Sequence, residues 1–166
     1  SAVIAGLRAA ADFARAFGEH EYSDKYRDTA DKMKDALIAY FYHKEEGRFA
    51  RMGKRTAKGY ALDMTVDASL FGLTAFGVFR PEVSMVVSTI NAVKEGLRIK
   101  TSVGGIARYT NDYYHQVSND IEQVPGNPWF ICTLWLAEYE IMRAGNLTEL
   151  NNTLPLLEWV VDKALP

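Results

Sequence analysis

The chain has 166 residues, 48% of them hydrophobic and 24% charged, which is enough apolar material for one globular domain, 1–166, with a substantial core. Its net charge of -2 and pI near 5.9 give no field that would gather nucleic acid or an anionic membrane, so neither is an expected partner. No run of roughly 18 apolar residues offers a membrane span, and no charged-then-apolar leader precedes the first helix, so the expected location is cytoplasmic.

The sequence opens at Ser1 without a methionine and already within a helical pattern, so we expect a piece of something longer. The single cysteine, Cys132, excludes an internal disulfide, and with His20, His43 and His115 scattered it makes no metal cluster. Phe130, Ile131 and Leu134 around it favour a buried, inert thiol. No metal or cofactor is expected. The sequons at Asn146 and Asn151 matter only in a secretory compartment.

In chain order, Ser1 to Phe17 is an Ala-rich helix, apolar over much of its circumference and so expected to be buried on more than one side. Gly18 ends it. Ser23 and Asp24 then resemble the N-cap of a second helix, with Tyr26, Ala30, Met33, Leu37 and Phe41 at helical spacing and a charged opposite face. Arg48 to Tyr60 is glycine-punctuated and basic. No stacking platform accompanies it, so a solvated turn or short hairpin is favoured over a phosphate or nucleic-acid site. A third helix, Val66 to Phe76, is again apolar nearly all round, with Asp67 at its positive end.

Pro81 is placed at the first turn of a fourth helix, whose stripe is Val83, Val86, Val87, Ile90, Val93 and Leu97. Asn127 and Pro128 open a fifth, largely apolar helix from Trp129 to Ala144, which Gly145 stops. Asn146 and Glu149 resemble a capping box for a sixth helical segment, in which Pro155 is a kink or a true first turn. The alternation of all-round apolar helices with one-faced helices describes helical hairpins with inner and outer members: an all-α, α/α architecture. Three hairpins leave such a ring open, so the chain is a solenoid-like arc or about half of a closed toroid.

Between the fourth and fifth helices runs a long connection, Gly104 to Trp129, too aromatic for disorder and too long to be idle. It gathers Arg108, Tyr109, Asp112, Tyr113, Tyr114, His115 and Trp129. Aromatic faces pack on the C–H faces of a sugar while Arg and Asp hydrogen-bond its hydroxyls, so the set suits carbohydrate. The same spacing also fits an ion pair that only stiffens a loop, with Trp129 in the core. Glycoside hydrolysis needs two carboxyl groups. Asp63, Asp67, Asp112, Asp120 and Glu122 lie near connections, and no pattern selects a pair.

The run from Gly105 through Arg108-Tyr109, Asp112 and Tyr114, followed by Gly126-Asn127-Pro128-Trp129-Phe130, resembles a segment of the glucoamylases and related enzymes of glycoside hydrolase family fifteen. Val66 to Leu70 and Leu156 to Val160 are similar to the family at corresponding places, so the resemblance covers most of the chain. It implies a toroid of six helical hairpins and release of glucose from α-glucosidic ends by inversion. The family's general acid lies in a Trp-Glu motif before the matched region and its base in a Glu-Gln motif after it, so no catalytic residue is expected within this chain. Arg108 and Asp112 match residues that hold the substrate's hydroxyls, Tyr109 a wall residue and Trp129 an aromatic platform. The implied partner is an oligosaccharide or disaccharide. Gln116 to Pro125 departs from the family's fungal members as an insertion, which leaves maltose, starch ends, dextran and trehalose open as substrates. A helical-repeat interaction module is the rival reading. Raw apolar edges of the open ring lead us to expect a homodimer of this chain.

Overall fold

The computed structural model describes residues 1–164; the last two residues of the expected 1–166 domain lie outside it. Helices α1 (Ala2–Ala16) and α2 (His20–Phe41) form the first hairpin. Gly18, at φ +78°, supplies the left-handed residue that lets the Glu19 N–H reach back to the Ala14 carbonyl at 2.9 Å. The turn delivers the chain into α2 at once. Ser23 and Asp24 therefore lie within the helix rather than capping it, and Ser23 is buried, with a hydroxyl that has no partner among the described residues. The expectation that the first helix is buried on several sides fails. Only Ile4 and Ala11 are enclosed, while Phe13 and Phe17 are 69% and 71% exposed, because α2 covers one stripe of the helix and leaves much of the rest uncovered.

The all-α expectation needs a correction between the second and third helical segments. Four short strands, β1 (Tyr42–His43), β2 (Arg48–Phe49), β3 (Met52–Thr56) and β4 (Gly59–Asp63), pair as two antiparallel hairpins. Gly47 and Gly59, with φ of +64° and +119°, permit the two turns, so the glycine punctuation reads as the favoured short hairpin. Lys54, Arg55 and Lys58 of the second hairpin point to solvent.

The third helical segment is shorter than its apolar pattern. A 3-10 turn at Ala68–Phe71 runs into α3 (Gly72–Ala75), and Asp67 caps it, accepting from the Ser69 N–H at 2.8 Å. Val66 and Asp67 are kept out of the helix because their backbone pairs elsewhere, with residues 108–110. Helix α4 (Ser84–Leu97) buries the expected stripe of Val86, Ile90, Val93 and Leu97. Pro81 is not at its first turn but in a turn ahead of it, closed by the Val83 N–H on the Arg80 carbonyl at 3.2 Å.

Helix α5 (Phe130–Arg143) encloses Cys132, Thr133, Leu136, Ala137 and Tyr139 and has Trp129 as its N-cap, two residues later than Asn127. The sixth segment is two helices, α6 (Leu147–Asn151) and α7 (Leu154–Lys163), with Pro155 in the first turn of the second. Asn146 accepts from the Glu149 N–H at 2.9 Å, and Glu149 reaches back to the Gly145 N–H at 2.8 Å, a capping box displaced by one residue. One core joins these parts, with Phe49, Phe71, Ile90, Leu97, Ile106, Leu136 and Tyr139 among its members. Ile90→Ala should lower the unfolding free energy by about 2–5 kcal/mol, whereas Val117→Ala in the exposed 116–125 loop should change it by no more than about 0.5 kcal/mol; urea denaturation checks both.

Candidate functional site

The long connection is organised by a short extended segment, Ile106 to Arg108, held by its backbone on several sides. Ile99 N–H donates to the Gly105 carbonyl at 3.0 Å and Ala107 N–H to that of Leu97 at 2.8 Å, which ties the segment to the end of α4. Trp129 N–H donates to the Ile106 carbonyl at 2.9 Å, fixing the start of α5. Ala68 N–H donates to the Arg108 carbonyl at 2.7 Å and Thr110 N–H to that of Val66 at 3.0 Å, fixing the entry to the 3-10 turn. These bonds leave the connection no freedom to behave as a loop.

Gly105 is required by contact as well as by conformation. Its φ is +83°, and a Cβ there would stand 2.5 Å from the Trp159 ring and 2.9 Å from Pro128. Trp159 of α7, whose indole N–H donates to the Val103 carbonyl at 2.7 Å, thus seals the segment from behind.

Arg108 and Asp112 do pair, and the geometry gives them unequal roles. Arg108 Nε donates to Asp112 Oδ2 at 2.8 Å and Nη2 to Oδ1 at 2.9 Å, a two-pronged fork, while the Tyr114 N–H adds a third donor at 3.1 Å. The Asp112 side chain is only 1% exposed, against 38% for Arg108. Burial pushes the Asp112 carboxyl up, but the Arg108 hydrogen bonds, the Tyr114 N–H and the Arg108 charge outweigh it and hold it below the usual carboxylate range. Asn111 and His115, at φ +61° and +50°, make the bends that fold Asp112 inward.

Three rings surround the guanidinium. Its carbon lies 4.9 Å from the ring centre of Tyr109, 5.0 Å from that of Trp129 and 5.5 Å from that of Tyr114, and Tyr114 in turn contacts Trp129 at 6.0 Å. The remaining amino group of Arg108, Nη1, makes no hydrogen bond to the described residues. It is an open donor with an aromatic surround. The structure thus brings together all four residues singled out by sequence, Arg108, Tyr109, Asp112 and Trp129, and adds Tyr114, whose place in the Tyr-x-x-Asp-x-Tyr run was the available signal. Tyr113 points to solvent. His115 packs edge-on against Tyr114, and Asn127 donates to the carbonyls of Tyr114 and His115, at 3.0 and 2.6 Å, instead of capping a helix.

Sequence reasoning missed Arg51, which it placed in a solvated basic turn. Arg51 folds back onto Asp63 at 2.8 Å and Asp67 at 3.3 Å, and lies over the Tyr109 ring at 5.4 Å. Thr65 and Arg51 hold the Asp63 carboxyl down at about 2. A general acid for glycoside cleavage requires the opposite shift; Asp63 and Asp112 each hold an arginine. Cys132 is buried as expected, its thiol pushed up to about 11 by burial. An open apolar groove of about 580 Å³ lies apart from these residues, on α1 and α2 beside Ala10, Phe13, Tyr22 and Tyr26.

Because the folded pKa of Asp112 is depressed, its contribution is present above the unfolded value of about 3.9 and is lost as pH falls through the folded value. Urea unfolding at a series of pH values should therefore show Asp112→Asn less stable than the parent near neutrality, by about 1.5–3 kcal/mol, the worth of a charged hydrogen bond, because the arginine left unpaired is 38% exposed. The gap should begin to close as pH falls below about 3.9 and vanish only beneath the folded value.

The profile of the family described as Glycosyl hydrolases family 15 matches residues 2–164. An uncharacterized glycosyl hydrolase of Methanocaldococcus jannaschii is 31% identical over 83% of this chain and 20% of its own length. A glucoamylase of Blastobotrys adeninivorans is 25% identical over 90% of this chain and 27% of its own. Among solved structures, a bacterial glucoamylase complexed with acarbose matches 93% of this chain and 26% of its own with a TM-score of 0.71 at 21% identity, a likeness of fold. The chain spans between a fifth and just over a quarter of these proteins.

Proposed function

The chain belongs to glycosyl hydrolase family 15, and from that premise we propose that it is part of an inverting glycoside hydrolase releasing glucose from α-glucosidic ends, supplying sugar-binding residues but not the catalytic acid and base. The observation that carries the reading is the half-exposed Arg108 fork, with an open Nη1 ringed by Tyr109, Tyr114 and Trp129. A pyranose offers hydroxyls to the guanidinium and C–H faces to the rings. Asp112, closed off from solvent, holds the arginine in place and leaves the sugar to Arg108. The glucoamylase relatives support α-glucosides such as maltose and starch ends as the substrate class. Trehalose is kept as the second reading, because the 116–125 loop that follows Tyr114 is the insertion that leaves the choice of disaccharide open. In this reading the six-hairpin toroid of the family holds the chain as about half of its ring.

Calorimetric titration with maltose and trehalose tests the site directly. Arg108→Lys keeps a cation above Asp112 but loses the fork, and should weaken binding about tenfold to a hundredfold, the worth of a charged hydrogen bond. Unchanged affinity would overturn the sugar-binding role. Arg108→Ala is the poorer probe, since it strands a buried carboxylate and unfolds the site along with the function. The chain by itself should release no glucose from maltose or trehalose, and steady release through purification would refute the assignment of acid and base to other parts of the enzyme.

We further propose a homodimer of this chain, since Val3, Phe13 and Phe17 of α1, Phe130 and Ile131 of α5, and Leu154 and Val161 of α7 are exposed. Covering them needs an apolar interface of the obligate class, above about 2,000 Å². Sedimentation should show a dimer at micromolar concentration; a monomer that binds no apolar dye would exclude it.

A further inference from the structure

Tyr109 carries two guanidinium groups over its ring, Arg108 at 4.9 Å and Arg51 at 5.4 Å from the centroid. Two cations on one ring repel unless each has its own counter-charge. Here each does: Arg108 is forked by Asp112, and Arg51 is shared by Asp63 and Asp67.

The two sets are joined by backbone as well as by the ring. Arg51 N–H donates to the Asp63 carbonyl at 3.1 Å at the open end of the β3–β4 hairpin. Asp67 pairs through its backbone with Tyr109 and accepts Arg51 Nη1 on the oxygen that the Ser69 cap leaves over. Arg51 therefore connects the hairpin to the sugar site, and its side chain ends on the tyrosine that walls the site.

We propose that Arg51 is a positioning residue of the sugar site: it fixes the ring of Tyr109 and, through the ring, the face that Arg108 turns to a sugar hydroxyl. The proposal rests on the sugar-binding reading above. It explains why the position holds an arginine, since the planar guanidinium reaches two carboxylates while stacking on an aromatic face, and a lysine ammonium does not. It also gives the hairpin a role in recognition that its solvated basic tip does not reveal.

The test uses Arg51→Lys and Arg51→Gln, with Arg27→Gln at the exposed Arg27–Asp12 pair as a control. Maltose affinity is read by calorimetry, and the Arg108 Nε–H and Tyr109 ring resonances are read by NMR in the sugar-free protein. We expect both Arg51 variants to weaken maltose binding about tenfold, the scale of a partly desolvated cation–π contact, and to move both sets of resonances, while the control moves neither. In a Tyr109→Leu background, Arg51→Lys should add nothing further, because the two act through one contact. A purely structural tie would lower Tm and leave the affinity and the Arg108 Nε–H resonance as in the parent, and that result, or additive effects in the double variant, overturns the proposal. If the Arg51 variants do not fold, Asp63→Asn, which leaves the Asp67 contact, is read in the same way. Should the parent chain fail to bind maltose, the sugar reading falls, and the Arg108 Nε–H resonance alone then decides: its displacement in the free protein supports the positioning role and its constancy removes it.

Discussion

A carboxylate withdrawn from water costs several kcal/mol unless a cation and hydrogen-bond donors take the water's place. Asp112 is withdrawn almost completely, and Arg108 with the Tyr114 N–H makes the replacement. Much of the surrounding architecture follows from satisfying that group. The left-handed bends at Asn111 and His115 turn it inward, Gly126 leaves no room for a Cβ beside its own, 2.9 Å away, and the Asp112 N–H is itself bonded to the Pro125 carbonyl. The arginine that results is held by a two-pronged fork, and a donor held in place loses less entropy when it meets a ligand.

The segment that bears Arg108 is as constrained as the side chain. It draws hydrogen bonds from the end of α4, the start of α5 and the entry to the 3-10 turn, so three helical units of the fold converge on three residues. Trp159 of α7 closes the rear against Gly104 and Gly105. Site and core are in this sense one object: Ile106 and Ala107 are core residues and Arg108, the next in sequence, carries the fork to Asp112. In the sugar-binding reading proposed above, recognition on this base depends on the orientation of Tyr109, Tyr114 and Trp129, and the charges around these rings are densely paired.

Much of this was legible in advance where a local rule decides. Gly18, the Asn146–Glu149 box, the α4 stripe and the cap at Asp67 each act over one turn of chain, and each is found at or beside its expected place. Expectations failed where distant backbone intervened. The apolar run from Val66 reads as a long helix, but its first two residues pair with Arg108–Thr110 and the helix loses its first turn. Pro81 and Asn127 carry the composition of helix starts; the turn closed on Arg80 and the carbonyls of Tyr114 and His115 claim them instead.

By itself the sequence determined the helical hairpins, the single inert thiol and the cluster of Arg108, Tyr109, Asp112 and Trp129, because periodicity and a compact motif encode these within a few residues of one another. Tertiary structure alone decided that Asp112 lies beneath Arg108, out of solvent, that Tyr114 completes the surround and that Arg51 reaches Tyr109 from more than fifty positions away in the chain. Burial and ring stacking are properties of surfaces brought together by folding, and no spacing along the chain records which face of a side chain will end up covered.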